Sequence, residues 1–264
     1  MKILVISDIH GNIDALEAVW NREGGADEII CAGDLTDYGV FPKEVIGWIK
    51  RHNVRVVKGN HDAHTVHIFR DTPWKQVQPG EFKWVHHTCG QLGGENIAYL
   101  DRLPETLYLE ADGAGYLICH QYGTGYETVE SSDQFNRFWN SHVKEMGKTV
   151  KEKRMVFGHT HRQGIHILGE NLLWLNPGSV SYRRPDDPSK NAEYMVIQDG
   201  TISFRSVPYD RSRSLKAAYE YLEKNIMMTT ELQDAFFFFG DAATSREPLP
   251  ESGLSSGDLQ GCDQ

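Results

Sequence analysis

No apolar run approaches the eighteen or so residues that a membrane-spanning helix needs. Lys2 is followed only by Ile3 to Ile6 before the polar Ser7-Asp8, which is too short for the core of a secretory leader. Cysteine is scarce: Cys31, Cys89, Cys119 and Cys262 show no C-x-x-C spacing. That excludes a disulfide scaffold and points to reduced thiols in the cytoplasm. Positive charge is also short, with 27 Lys+Arg against 37 Asp+Glu leaving −10. Such a field repels phosphate backbones and anionic membranes, so no stable nucleic-acid or membrane partner is expected. Aromatics are missing from residues 241–264, which carry five acids and one Arg among Pro, Ser and Gly. That stretch cannot bury enough apolar surface to offset its ordering, and a disordered acidic tail is expected.

What is present suits a globular protein: 264 residues, 39% of them hydrophobic, are ample for a buried core. Short β-branched runs recur at Lys2 to Ile6, Glu28 to Cys31, Val54 to Val57, Tyr116 to Cys119, Met155 to Phe157, Leu172 to Leu175, Tyr194 to Ile197 and Ile202 to Val207. Runs apolar throughout imply strands covered on both faces. Ile13, Leu16, Val19 and Trp20 share one face of a helix after Asn12, and Pro42 opens a second with Val45, Ile46 and Ile49. A third is predicted from Ser131-Ser132-Asp133 through Phe135, Phe138, Trp139, His142, Val143 and Met146. The early alternation of strand and helix reads as α/β with parallel pairing. Leu215, Ala218, Tyr219, Leu222 and Ile226 predict a C-terminal helix, and the Phe236 to Phe239 run is expected to pack against the domain or a second subunit.

Five polar clusters each follow a predicted strand: Ser7-Asp8-Ile9-His10, Gly33-Asp34, Gly59-Asn60-His61-Asp62, His120, and Gly158-His159-Thr160-His161. In a sheet with parallel strands those ends share one edge, where α/β proteins place their sites. Asp8 and His10 stand at i and i+2, as do His159 and His161, which in extended chain aims both side chains to one face. Gly33, Gly59 and Gly158 precede candidate ligands and permit close backbone approach. Carboxylates, imidazoles and one amide suit a borderline divalent cation: Mn²⁺, Fe²⁺, Zn²⁺, Co²⁺ or Ni²⁺. Two carboxylates, an amide and four histidines exceed one tetrahedral ion, so two ions are expected.

D-x-H, G-D, G-N-H-D, a lone His and G-H-T-H, in that order, resemble the calcineurin-like metallophosphoesterase superfamily over roughly Met1 to Val207. The resemblance implies two mixed β-sheets packed face to face with helices on both outer faces. It implies one ion held by Asp8, His10, Asp34 and His161, and another by Asp34, Asn60, His120 and His159, with Asp34 bridging and Mn²⁺ favoured. His61 would face the phosphoryl group without binding metal, steadied by Asp62, and a water bridging the ions would attack. The stretches Gly33 to Gly39 and Asn176 to Val180 are similar to a compact prokaryotic branch of phosphodiesterases, some of which cleave dinucleoside polyphosphates. One departure is Gln121-Tyr122-Gly123, where many relatives have Gly directly after the equivalent of His120. The expected organisation is a catalytic domain over 1–210, a helical extension over 211–240 and the tail.

The expected function is hydrolysis of phosphodiester or phosphoanhydride bonds in small nucleotide-type substrates. Phosphomonoesterase or protein phosphatase activity, and a non-catalytic metal-binding scaffold, are the alternatives, and the oligomeric state is open. Asp37 and Asp62 read as turn-forming or ligand-supporting carboxylates, not metal ligands. Arg183 and Arg184 could grip distal phosphates or lie solvated at the surface. Ala63 to Asn96 reads as a helical insertion that leaves His86 and His87 exposed or caps the site. Tyr38 and Tyr122 are expected to shape the substrate pocket, and Cys31 and Cys119 to pack in strands.

Overall fold

A computed structural model describes residues 1–144, 147, 149–181 and 189–240. In chain order its elements are β1 (Lys2–Ile6), α1 (Ile13–Glu23), β2 (Glu28–Cys31), α2 (Pro42–Arg51), β3 (Arg55–Val56), α3 (Asn60–Asp71), α4 (Trp84–Gln91), α5 (Gly94–Asp101), β4 (Thr106–Ala111), β5 (Ala114–Cys119), α6 (Ser132–His142), β6 (Glu152–Val156), β7 (Gln163–Gly169), β8 (Leu172–Pro177), β9 (Ala192–Gln198), β10 (Thr201–Val207), α7 (Ser212–Lys224) and α8 (Thr229–Phe239). They build two five-stranded mixed sheets, ordered β10-β9-β1-β2-β3 and β4-β5-β6-β8-β7. Parallel pairing of β1 with β2, β2 with β3, and β5 with β6 sends the carboxyl ends of these strands to one edge of each sheet.

The strands read as apolar throughout because both faces are covered. Ile3 and Val5 of β1 meet Tyr116, Ile118, Val156 and Leu175 of the other sheet. Leu4 and Ile6 pack instead with Leu16 and Val19 of α1 and Val45 and Ile49 of α2. On the far side Leu117, Met155 and Trp174 lie under Phe135 and Trp139 of α6. At about 1.5–3 kcal/mol per fully buried large apolar side chain, this three-layered core is what holds the strand ends in place. Among the described residues no helix is long and apolar enough to cross a membrane.

Local signals explain the helix starts. Asn12 accepts the Ala15 N–H at 3.1 Å, Pro42 opens α2, and Ser131 with Gln134 forms a capping box on α6. The α6 prediction overran: the helix stops at His142, where Ser141 Oγ and His142 Nδ1 both take the Phe138 carbonyl, and Val143 turns extended. Met146 lies outside the described residues, as do Arg183, Arg184, Cys262 and residues 241–264. Two strands escaped the apolar-run criterion, β4 and β7, because each is a sheet edge with partly exposed side chains.

The insertion is helical, but His86 and His87 are not exposed. His86 and His87 are buried; His87 Nε2 donates to the Val40 carbonyl at 2.8 Å while its Nδ1 accepts from Tyr221 of α7. That pair of bonds fastens α4 to the loop before α2 and to the C-terminal helices. Phe237, Phe238 and Phe239 are buried with Val40, Trp84 and Ala218, so the phenylalanine run packs within its own chain.

Candidate metal centre

The loop after β1 is laced to the loop after β2 by Asp8 N–H to the Gly33 carbonyl at 3.0 Å and by Ile9 and His10 N–H to the Asp34 carbonyl at 2.8 and 3.0 Å. Asp8, His10, Asp34, His159 and His161 all have positive φ, between 45° and 65°. These paired candidate ligands therefore do not converge by strand alternation, as their i, i+2 spacing suggested. They sit on left-handed turns, each costing of order 1–3 kcal/mol, a cost that the surrounding structure must impose. Two glycines let the loops close: a Cβ on Gly59 would stand 2.0 Å from Asp34 Oδ1, and one on Gly158 would stand 2.0 Å from Ser7 Oγ.

Asp62 supplies much of that imposition. Buried and facing inward, it accepts hydrogen bonds from the Asp34, Leu35, Thr36 and Gly59 N–H groups and from Thr36 Oγ1, all at 3.0–3.2 Å. It does not touch His61, so the expected pairing of those two is corrected. The partner of His61 Nδ1 is Asp37 Oδ2 at 2.9 Å, whose other oxygen accepts the Tyr38 N–H at 2.8 Å. A side chain at the first turn of α3 faces the site, while its neighbour Asp62 turns under the β2 loop. Residue type alone left the two aspartates equivalent.

The seven residues singled out as metal ligands meet in two groups. His10 Nε2 lies 3.3 Å from His161 Nε2 and 3.8 Å from Asp34 Oδ2, and His161 Nε2 lies 3.2 Å from Asp8 Oδ1. Asn60 Oδ1 lies 2.8 Å from His120 Nε2 and 3.0 Å from His159 Nδ1, while His120 Nε2 lies 3.2 Å from Asp34 Oδ2. Asp34 belongs to both groups. The donor set fits divalent cations on three counts. Asp34 Oδ2 is buried with no hydrogen-bond partner. Two imidazole nitrogens face each other across 3.3 Å. The Thr36 and Ala32 carbonyls accept from Nδ1 of His10 and His120 at 3.1 and 2.7 Å, which leaves each Nε2 as the ligand atom.

Charge follows the geometry. Burial pushes His10 down to about 4, so it is neutral at pH 7. Burial alone would raise the Asp34 carboxyl, yet His120, His61 and His10 hold it well below the usual carboxylate range. Burial likewise opposes the imidazolium of His120, but Asp34 lifts it to about 10. A cation held by His120 would have to displace that proton. His61, despite burial, is lifted to about 9 by Asp37 and Asp34. Tyr126, for which the sequence carried no signal, stacks on His159 with centroids 4.9 Å apart and planes at 15°. Gln121 Nε2 donates to the Gly123 carbonyl at 2.7 Å and folds the departing loop back beside His120.

Two sheets face to face, with the loops that carry the candidate ligands at the strand ends, define a phosphoesterase fold with a candidate metal centre. The chain belongs to the calcineurin-like phosphoesterase superfamily, whose domain matches residues 1–199; the family is metal-dependent. It is similar to the uncharacterized protein MJ0912 of Methanocaldococcus jannaschii, 29% identical over 238 residues covering 84% of this chain and 92% of that protein. It is also similar to the phosphodiesterase YfcE of Escherichia coli, 23% identical over 219 residues covering 77% and 90%. The crystal structure of a metallophosphoesterase from Sphaerobacter thermophilus shares the fold, with a TM-score of 0.64, 22% identity, and coverage of 89% of this chain and all of that one.

Proposed function

We propose that this protein is a phosphohydrolase with a dinuclear metal centre, cleaving phosphodiester or phosphoanhydride bonds of small nucleotide-type substrates. Asp8, His10, Asp34 and His161 hold one ion, Asp34, Asn60, His120 and His159 the other, with Mn²⁺ favoured. The observation that carries this reading is Asp34 Oδ2, a buried carboxylate oxygen without a hydrogen bond that is shared by both ligand groups. Such an atom is costly unless a cation answers it. Divalent ions bound there would supply Lewis acidity toward the phosphoryl oxygens and acidify water.

The chain's own residues supply the rest. His61 is lifted to about 9 despite its burial, first by its hydrogen bond to Asp37, which involves no candidate metal ligand, and then by Asp34, and this favours a proton on the ring. With Nδ1 committed to Asp37, its Nε2 is free to give that proton to the departing oxygen. The Tyr38 and His10 rings, 4.7 and 5.1 Å from His61, keep the imidazole in one orientation. Asp62 acts as a positioning residue, holding the Asp34 loop and the α3 N-terminus in register. The phosphodiesterase named among the relatives supports ester hydrolysis of this type.

The test is hydrolysis of bis(p-nitrophenyl) phosphate and p-nitrophenyl phosphate after chelator treatment, with and without Mn²⁺. The reading requires Mn²⁺-restored turnover that favours the diester. Preference for the monoester would make the protein a phosphomonoesterase, and metal binding without turnover of either would make it a scaffold.

A further inference from the structure

A cleft of about 560 Å³ opens directly beside Asn60 and His120, within the range of roughly 300–1,000 Å³ typical of small-ligand sites. None of its outer wall is needed to hold metal. Tyr122 and Phe138 line it half-buried, their ring centroids 5.4 Å apart and planes inclined at 47°, and His142, also in the lining, stacks on Phe138 at 4.0 Å and 22°. Lys58 also lines the cleft and is the one Lys or Arg among the lining residues. Its side chain is 16% exposed, and its ion-pair partner is Glu105 at 3.3 Å, itself 77% exposed. A pair with one arm in water is weak and readily exchanged. Lys58 N–H is fixed to the Pro104 carbonyl at 2.8 Å, and Lys58 stands two residues before Asn60, so the loop anchors the root of this side chain close to the candidate metal centre. In a chain of net charge −10 this cation is a local exception.

We propose that this cleft is the nucleotide subsite: the planar base packs against the aromatic side chains of Tyr122 and Phe138, and Lys58 receives a phosphate beyond the scissile one. The assignment rests on the phosphohydrolase reading above and names which part of the substrate this chain selects and with what. Base stacking on an aromatic wall tolerates any base, so the subsite reads a nucleotide without reading its identity. The ammonium sets a preference for substrates with more than one phosphate over simple aryl diesters.

The test combines ADP binding by calorimetry with kcat/KM for diadenosine tetraphosphate and for bis(p-nitrophenyl) phosphate, all with Mn²⁺. Lys58→Met should weaken ADP binding about 10- to 100-fold, the value of one charge-assisted phosphate contact. Its kcat/KM loss for diadenosine tetraphosphate should exceed that for the diester at least tenfold. Phe138→Leu, which keeps apolar bulk and removes the ring, should weaken ADP roughly tenfold or more while changing pyrophosphate binding far less. ADP affinity equal to wild type in both variants, or equal losses on the two substrates, overturns the subsite. If the wild type hydrolyses neither substrate yet binds ADP through Lys58 and Phe138, hydrolysis fails and the subsite stands. If it turns over the diester while ADP binding is indifferent to both substitutions, hydrolysis stands and the subsite fails.

Discussion

Asp34 accepts the main-chain N–H of His61 at 2.9 Å through Oδ1 and leaves Oδ2 buried, 3.2 Å from His120 Nε2 and 3.8 Å from His10 Nε2. One carboxylate thus ties the start of α3 to both ligand groups. Asp34→Asn should therefore weaken both ions together, because the shared charge that offsets their mutual repulsion is gone. Without metal the variant should melt lower than wild type, since His120, His61 and His10 stabilise the Asp34 carboxylate in its charged form and lose that partner in the variant. With Mn²⁺ at about a hundred times the wild-type dissociation constant, wild type should gain roughly 2.7 kcal/mol for each bound ion, or about 5–10 °C in Tm per ion, and the variant under about 2 °C in all. Two tightly held ions per chain in Asp34→Asn, by elemental analysis, would remove the bridging role.

His61 and Asp37 form a second unit. His61→Ala should keep its metal content and lose about 10²- to 10⁴-fold in kcat, the range for one general acid. Asp37→Asn should cost about 10- to 100-fold by loosening the imidazole. The double variant should be no slower than His61→Ala, because the two act through one proton. Losses that multiply in the double variant would show Asp37 acting elsewhere. A p-nitrophenolate leaving group needs little protonation, so its penalty in His61→Ala should be smaller than for a nucleotide ester.

Gly59 is a steric requirement. A Cβ there would sit 2.0 Å from Asp34 Oδ1 and 2.3 Å from Asp34 N, and neither can retreat while Asp62 and His61 hold that loop. Gly59→Ala should lose Mn²⁺ binding and lower stability by about 2 kcal/mol or more. Gly93→Ala, where a Cβ meets nothing within 4 Å, should stay within about 0.5 kcal/mol. Chemical denaturation of the two variants side by side checks this; equal stability would mean that the β3–α3 loop has slack the distances deny.

Far from the centre, Glu23 is 3% exposed and accepts from Tyr194 at 2.8 Å and Arg205 at 2.7 Å, with Lys2 Nζ at 3.0 Å. Burial would raise its carboxyl, but Arg205, Tyr194 and Lys2 together hold it below the ordinary value of 4.5. A depressed carboxylate adds stability above its unfolded pKa, and that stability is lost as pH falls through the folded value. Glu23→Gln should cost about 1–3 kcal/mol at pH 7. The Tm gap to wild type should then narrow steadily below pH 4.5. A gap independent of pH would mean that shape, not charge, holds α1 to β9 and β10.

Much of this architecture is local and was therefore legible in the chain. The runs at Lys2 to Ile6 and Tyr116 to Cys119 are apolar because both sheet faces are covered, and period alone reports that. Asn12, Pro42 and Ser131 mark helix starts because capping is a contact between residues three apart. The five polar clusters were visible because loops after parallel strands need turn residues, and chemistry placed there stands out against them. What the tertiary structure decided are matters of direction and partner. Asp37 and Asp62 are both aspartates in turn-rich segments, and only the packing of α3 against the β2 loop gives His61 the first and backbone amides the second. The left-handed turns at Asp8, His10, Asp34, His159 and His161 are unfavourable locally, so no local preference announces them. Long-range bonds, such as His159 N–H to Asp8 Oδ2 at 3.1 Å, impose them. Tyr126 over His159 and Lys58 beside Asn60 depend likewise on where loops arrive after the sheets have paired, a non-local outcome that no residue's own propensity encodes.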